Sequence, residues 1–277
     1  MAASKTGDGR TPVQIDTSKA SIARVYDYAL GGKDHFEADR QTIEAVRKVA
    51  PEVQLLAVDN RAFLIRALRF LASQTDVVQY LDCGSGLPTA ENTHQVVQRL
   101  RPESRVVYVD NDPSVIVHGR ALLEDNEQTV FTAADIFDPP SVLTDPTVRE
   151  FLDFDEPIVL IHNGTIHHYD DPTRSPQDIM AEFVEALPSG SYVVVAHFYD
   201  PEDDDSALAR RMEDVFVHSP MGSGVFRTMD EIQGLFPGLE MVEPGVAVCA
   251  TWWPDGPLVK PLAPAQRCIA GGVGRKP

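Results

Sequence analysis

Cysteine is scarce in this chain: Cys83, Cys249 and Cys268 are the only three in 277 residues, far apart and with no Cys-x-x-Cys pair. That excludes a disulfide framework and a recognisable thiolate zinc site, and it suits a reducing, cytoplasmic setting. Positive charge is short as well, with 24 Lys and Arg against 42 Asp and Glu, a formal charge of −18. A surface so acidic repels phosphate backbones and anionic lipid heads, so neither nucleic acid nor membrane is expected as a partner. No apolar run approaches the roughly 18 residues a membrane-spanning helix needs. Residues 1–14 lack the charged-then-apolar order of a secretory signal and are expected to be a disordered polar tail. What is present is 43% hydrophobic residues, enough for a sizeable core, with 18 Gly and 21 Pro marking many turns.

The pattern divides near residue 73. Residues 15–30, 35–50 and 52–72 carry helical spacing without strands. Thr17 or Ser18 is placed to cap the first helix, and Gly31-Gly32 to stop it. Residues 15–73 therefore read as an N-terminal helical cap or lid, and residues 74–277 as an α/β domain. In that second part, short β-branched runs at 77–81, 105–109, 130–133, 157–161 and 191–196 alternate with helix-compatible stretches, including one at 142–151. Such alternation signals a mostly parallel sheet covered on both faces. Residues 239–242 and 246–253, separated by Glu243-Pro244-Gly245, read as an antiparallel hairpin closing it, with one of Trp252 and Trp253 in the core. The Pro/Gly-rich segment after Pro254 is expected to be peripheral.

Chemistry concentrates where the strands end. The first runs into Leu81-Asp82-Cys83-Gly84-Ser85-Gly86-Leu87-Pro88-Thr89. Paired glycines there allow a tight turn and a close backbone approach to a ligand. A dinucleotide loop wants a third glycine where Thr89 stands, and Asp82 would repel a pyrophosphate. The same carboxylate suits the amino group of S-adenosylmethionine, which lacks phosphate and carries a cationic sulfonium. Asp110, ending the second strand beside Asn111, can accept both hydroxyls of a ribose; Asp112 fits better as a helix cap. After the third strand, Asp135 can take an adenine amino group while Ile136 packs on the ring. The three acids describe one crevice edge across consecutive strands.

The order Asp82-x-Gly84-x-Gly86, Asp110, Asp135-Ile136 resembles the nucleoside half of class I S-adenosylmethionine-dependent methyltransferases. More closely, residues 15–36, IDTSKASIARVYDYALGGKDHF, are similar to the signature of an actinobacterial S-adenosyl methyltransferase family, formerly a domain of unknown function. Asn60-Arg61, the glycine loop and Tyr108-Val109-Asp110-Asn111-Asp112-Pro113 carry the same likeness, which runs from Ile15 to about Trp253. His35 stands where the family pattern has Asn. The resemblance implies a Rossmann-like sheet and S-adenosylmethionine as cofactor. It also favours the stretch around Tyr26 as a lid over the cofactor, with Gly31 and Gly32 as its hinge.

On the acceptor side the fourth strand ends in His162-Asn163-Gly164-Thr165-Ile166-His167-His168. His162 and Asn163 are expected to border the cofactor, and His167 and His168 are candidate general bases. A metal held by these histidines is disfavoured, because no cysteine or acid completes a ligand spacing. His197, Phe198 and Tyr199, ending the fifth strand, and Arg227, with Thr228 at a helix start, are candidates for contact with a substrate. The leading expectation is methyl transfer to a small-molecule acceptor. The alternative is a protein that binds the cofactor or its demethylated product without catalysis and regulates a partner.

Overall fold

The computed structural model describes residues 14–88, 91–122 and 126–277; Thr89 and nearly all of the expected N-terminal tail lie outside them. Three helices come first, α1 (Ile22–Ala29), α2 (Glu37–Arg47) and α3 (Val53–Gln74). The alternating part follows as β1 (Gln79–Cys83), α4 (Thr93–Gln98), β2 (Arg105–Val109), α5 (Pro113–Leu122) and β3 (Thr129–Thr132). It continues through α6 (Pro139–Leu143), α7 (Pro146–Phe151), β4 (Val159–Asn163), α8 (Pro176–Ala186) and β5 (Tyr192–Phe198). Last come α9 (Ser206–His218), α10 (Met229–Gln233), β6 (Glu240–Met241), β7 (Ala247–Val248) and β8 (Ile269–Arg275).

The sheet runs β3-β2-β1-β4-β5-β8-β6, with β7 also paired to β8. Strands β1 to β5 are parallel, and β8 is antiparallel to β5. This is a Rossmann-like α/β fold. The chain builds outward from β1 to β3, then returns to lay β4 on the other side of β1. Where the order reverses, loops leave the strand ends in opposite directions and open a crevice.

Strands β1 to β5 bury both faces, as their apolar runs require. Tyr80, Tyr108, Ile161, Ala196 and Phe198 face a layer that includes α1, α3 and α9, while Leu81, Val107, Leu160 and Val195 face one that includes α8. The first layer shows that residues 15–73 do not carry a core of their own. Val25, Ile43 and Leu68 share one apolar cluster with Ile161 and Val273.

Four sequence expectations shift. The expected hairpin does not form: β6 and β7 each pair with β8 instead of with one another. Strand β8 comes from the Pro/Gly-rich end expected to be peripheral, where its glycines hid the strand pattern. They answer to close packing, because a Cβ on Gly271 would stand 2.7 Å from the Phe63 ring of α3. Helix α1 starts later than expected, capped by the Ser21 hydroxyl on the Arg24 N–H, while Ser18 closes a local turn on Asp16. The stretch 142–151 splits into α6 and α7, with Asp145 capping the second helix and Pro146 opening it. Trp252 is fully buried and Trp253 half-exposed, as expected of such a pair.

Candidate functional site

The crevice is a cavity of about 460 Å³ over the carboxyl ends of β1, β2 and β4, within the range of small-molecule sites. Asp82, Gly84, Ser85, Gly86, Asp110, Asn111, Asp135, Ile136, Asn163 and Tyr26 all line it. The loop after β1 reaches the ligand side because its glycines hold left-handed backbone, φ +79° at Gly84 and +67° at Gly86. At Gly84 a Cβ would meet Thr165 Cγ2 at 2.3 Å, so the loop lies hard against the β4 end; at Gly86 it would meet nothing within 4 Å.

Three acids face this loop in different settings. Asp110 accepts the Gly86 N–H through Oδ2 and the Asp112 N–H through Oδ1, both at 2.9 Å. A carboxylate offers about four acceptor positions, so two remain for a ligand. Asp82 accepts the Thr93 hydroxyl at 2.6 Å. Burial pushes both carboxyls up to about 6; hydrogen bonds from Thr93 to Asp82, and from the Asp112 and Gly86 amides to Asp110, pull the other way. Asp135 is exposed at the rim and accepts the Phe137 N–H at 2.9 Å.

The helical layer adds groups that sequence reasoning assigned no role. Asn60 and Arg61 of α3 line the cavity. Asn60 donates to the Tyr26 hydroxyl at 3.0 Å, and Arg61 donates to the Glu91 carbonyl at 2.7 Å. Among the described residues, Asn60 Oδ1, Arg61 Nε, Ser85 Oγ and Asn163 Oδ1 are buried without a hydrogen-bond partner. Four such atoms on one cavity are unusual, because buried polar groups are nearly always paired. A signal existed in the sequence: Asn60 falls on the buried stripe Val53, Leu56, Ala57, Leu64, where a polar residue is costly.

Several expected residues lie elsewhere, and strand geometry explains most of them. Side chains alternate across a sheet. Asn163 therefore faces the cavity, while His162 points to the opposite face, beside Phe183 with its Nδ1 on the Thr165 hydroxyl. Likewise Phe198 lines the cavity, and His197 lies behind it, fully buried between the Phe198 carbonyl and Arg227. Arg227 serves that buried histidine and the Tyr169 carbonyl, so it does not reach the cavity. Tyr199, also outside the lining, forms a backbone bridge with Arg227. Thr228 caps α10, its hydroxyl accepting the Glu231 N–H. Burial pushes His162, His168 and His197 each down to about 3, and His167 also well below the usual histidine range.

Gly31 and Gly32 do not line the cavity, and their turn is tied instead of hinged. The Gly32 N–H donates to the Asp27 carbonyl at 2.8 Å, and a Cβ on Gly32 would collide with the Asp27 carboxylate. That carboxylate also accepts the Asp34 N–H at 2.9 Å and sits 3.0 Å from His35 Nδ1, giving His35 a polar partner. Helix α1 is further bound to the sheet side. The Ser21 hydroxyl donates to Asp112, and Arg24 bonds Ser114 and the fully buried Asp39, both at 2.9 Å. His167 and His168, on the turn after β4, do line the cavity. Among the described residues no cluster of three or more His, Cys, Asp or Glu could hold a metal ion, and no helix is long and apolar enough to cross a membrane.

The site combines four aspartates, one arginine and a glycine loop, which suits a ligand bearing an amine, hydroxyls and a carboxylate. Comparison with known proteins agrees. The family model described as S-adenosyl methyltransferase matches residues 8–277. A crystal structure from Thermobifida fusca YX, of a protein assigned as a methyltransferase, shares 40% identity at a TM-score of 0.88, covering 94% of this chain and 96% of that one. A DUF574 family protein from Streptomyces avermitilis MA-4680 shares 34% identity at 0.88, covering 95% and 100%. No curated protein matches the chain.

Proposed function

Because the chain belongs to the S-adenosyl methyltransferase family and takes S-adenosylmethionine as its cofactor, we propose that it methylates a small-molecule acceptor in the cavity above β1 and β4, acting in the cytoplasm. Membership of a methyltransferase family favours this enzyme over the non-catalytic binding protein.

The observation that carries the reading is the set of four unpartnered polar atoms, on Asn60, Arg61, Ser85 and Asn163, around a cavity that also holds Asp82 and Asp110. These residues fit the donor molecule group by group. Asp110 takes the ribose hydroxyls on its two remaining acceptor positions, and Asp135 with Ile136 takes the adenine. Asp82 holds the amino group, directly or through a bridge, and Arg61 the carboxylate, as a charge-assisted pair. Ser85 and Asn163 bond the methionine portion along the glycine loop.

When bound, the donor supplies a methyl group on a sulfonium, which leaves readily. The chain's own task is to align an acceptor with that methyl and to exclude water. Residues 15–73 act as the cap that does so, since Tyr26 of α1 and Asn60 and Arg61 of α3 reach the same cavity as the strand-end loops.

Titration calorimetry with S-adenosylhomocysteine tests the site: one molecule bound per chain is expected. A chain that binds no adenosyl-sulfur compound overturns the proposal. Isotope-labelled donor, incubated with a small-molecule extract, then reports transfer of the methyl to a low-mass product.

A further inference from the structure

The cavity lining also has an apolar part, in which the Phe198 ring stacks on Phe216 and lies beside His167 and His168. Its apolar residues include Ile43 of α2, Val53 and Leu56 of α3, Phe198 of β5, Phe216 of α9 and Met221 just beyond it. The other charged lining residues, Arg61, Asp82, Asp110, Asp112 and Asp135, belong to the donor-binding set or to the loop that carries Asp110. The polar side chains with ring contacts to Phe198 come from the turn after β4, as His167 and His168.

The two histidines differ. His167 is already engaged: its ring stacks on Phe198 at 3.6 Å, 10° from parallel, and its Nδ1 lies 3.3 Å from the Phe198 N–H it accepts. His168 holds the Ser223 hydroxyl at Nδ1, 3.0 Å away, and its Nε2 makes no hydrogen bond among the described residues. That ring nitrogen is left for a ligand beside the apolar Phe198 ring.

We propose that the acceptor is a small neutral phenol, bound against this apolar part with its hydroxyl on His168 Nε2, which takes the phenolic proton as the methyl is transferred. The inference rests on the donor-site reading above and names the acceptor of that same site.

Charge excludes the main competitors. An acceptor bearing a carboxylate or phosphate would be buried without a cation, since Arg61 serves the donor. An alkylammonium would be buried without a free acid. Uncompensated burial of either charge is strongly unfavourable. Among neutral hydroxyls a phenol ionises near the tyrosine value of about 10 and parts with its proton readily. Proton transfer to Nε2 requires the tautomer in which His168 Nδ1–H donates to the Ser223 hydroxyl, which leaves the lone pair on Nε2. Burial pushes this imidazole down to about 3, so it is unprotonated at neutral pH. A base that weak suffices when its proton arrives late, because the phenolic oxygen loses its basicity as its bond to carbon forms. In balance, an oxygen–carbon bond forms and the carbon–sulfur bond breaks, its electron pair staying on sulfur. The phenolic proton moves to Nε2 and leaves to solvent with the product.

The test uses full-length protein saturated with S-adenosylhomocysteine, titrated with 4-methylphenol, 4-hydroxybenzoate and tyramine. Binding of 4-methylphenol at least tenfold tighter than either charged analogue is expected, without any need for turnover. If the nucleoside binds but 4-methylphenol does not, or a charged analogue binds better, the acceptor class is overturned while the donor site stands. If the nucleoside itself fails to bind, the donor-site reading falls instead. With donor present, His168→Gln should lower kcat on the phenol about 100-fold or more, with KM and nucleoside affinity within threefold of wild type. An unchanged kcat overturns the role of His168. Should that variant not fold, the ligand series on wild type still decides the acceptor class.

Discussion

The Gly86 amide donates to Asp110 Oδ2 at 2.9 Å, tying the glycine loop after β1 to the acid that ends β2. One carboxylate thus shapes the loop and keeps acceptor positions free for a ligand. Two adjacent strands are locked at the point where their ends diverge.

Removing that carboxylate should therefore cost more than a ligand contact. Asp110→Ala is expected to weaken S-adenosylhomocysteine binding at least tenfold by calorimetry, about 1.4 kcal/mol or more. It loses the ribose bonds and also frees the Gly86 and Asp112 amides. An unchanged dissociation constant would remove Asp110 from the site.

Binding should take a characteristic pH dependence. In the free protein Asp82 and Asp110 titrate at about 6, raised by burial. Ribose hydroxyls and an amino group bond the charged carboxylates, so the complex holds those groups at lower pKa than the free protein. The ligand therefore expels protons below pH 6, and affinity climbs as pH rises to that value and levels off above it. Calorimetry at pH 5.5 in buffers of different ionisation enthalpy should show proton release that vanishes by pH 8. Equal affinity at both pH values would contradict the assignment.

Arg61 separates the two ends of the donor. Arg61→Ala should weaken S-adenosylhomocysteine, which bears the amino-acid carboxylate, by tenfold or more. Methylthioadenosine lacks that group and should bind the variant as it binds wild type. Equal losses for both ligands would show that Arg61 shapes the pocket without holding the carboxylate.

The two loop glycines should respond differently to a methyl group. Both have positive φ, so alanine at either carries a penalty of about 1–2 kcal/mol. At Gly84 the new Cβ also meets Thr165 and Ile136, at 2.3 and 2.9 Å, adding about 1–3 kcal/mol of overpacking. Gly84→Ala should thus lower the thermal midpoint further than Gly86→Ala. At Gly86 the methyl would meet nothing in the protein within 4 Å and would stand on the cavity wall, so ligand affinity should suffer more than stability. Equal midpoints would refute the close packing seen at Gly84.

Much of the fold and the donor half of the site was readable from local pattern. An apolar run ending in an acid carries its own meaning, because a parallel strand buries both faces and delivers its last residue to the sheet edge. That is why Asp82, Asp110, Asp135 and Asn163 all line one cavity. At the ends of β4 and β5 it is the alternation along the strand that decides which side chain meets the cavity. His162 and His197 sit one position from Asn163 and Phe198, and a one-residue step turns a side chain to the other face of the sheet.

Composition and sequence order alone determined the α/β class, the mostly parallel sheet and the line of strand-end acids, since each depends on neighbours along the chain. Tertiary structure alone decided the rest. It drew β8 out of a glycine-rich end, because packing against Phe63 rewards the absence of side chains there. It seated Asn60 and Arg61 on the cavity wall, and it set His168 beside Phe198 in the same lining. Those arrangements depend on which surfaces meet across long stretches of chain, and no local periodicity records that meeting.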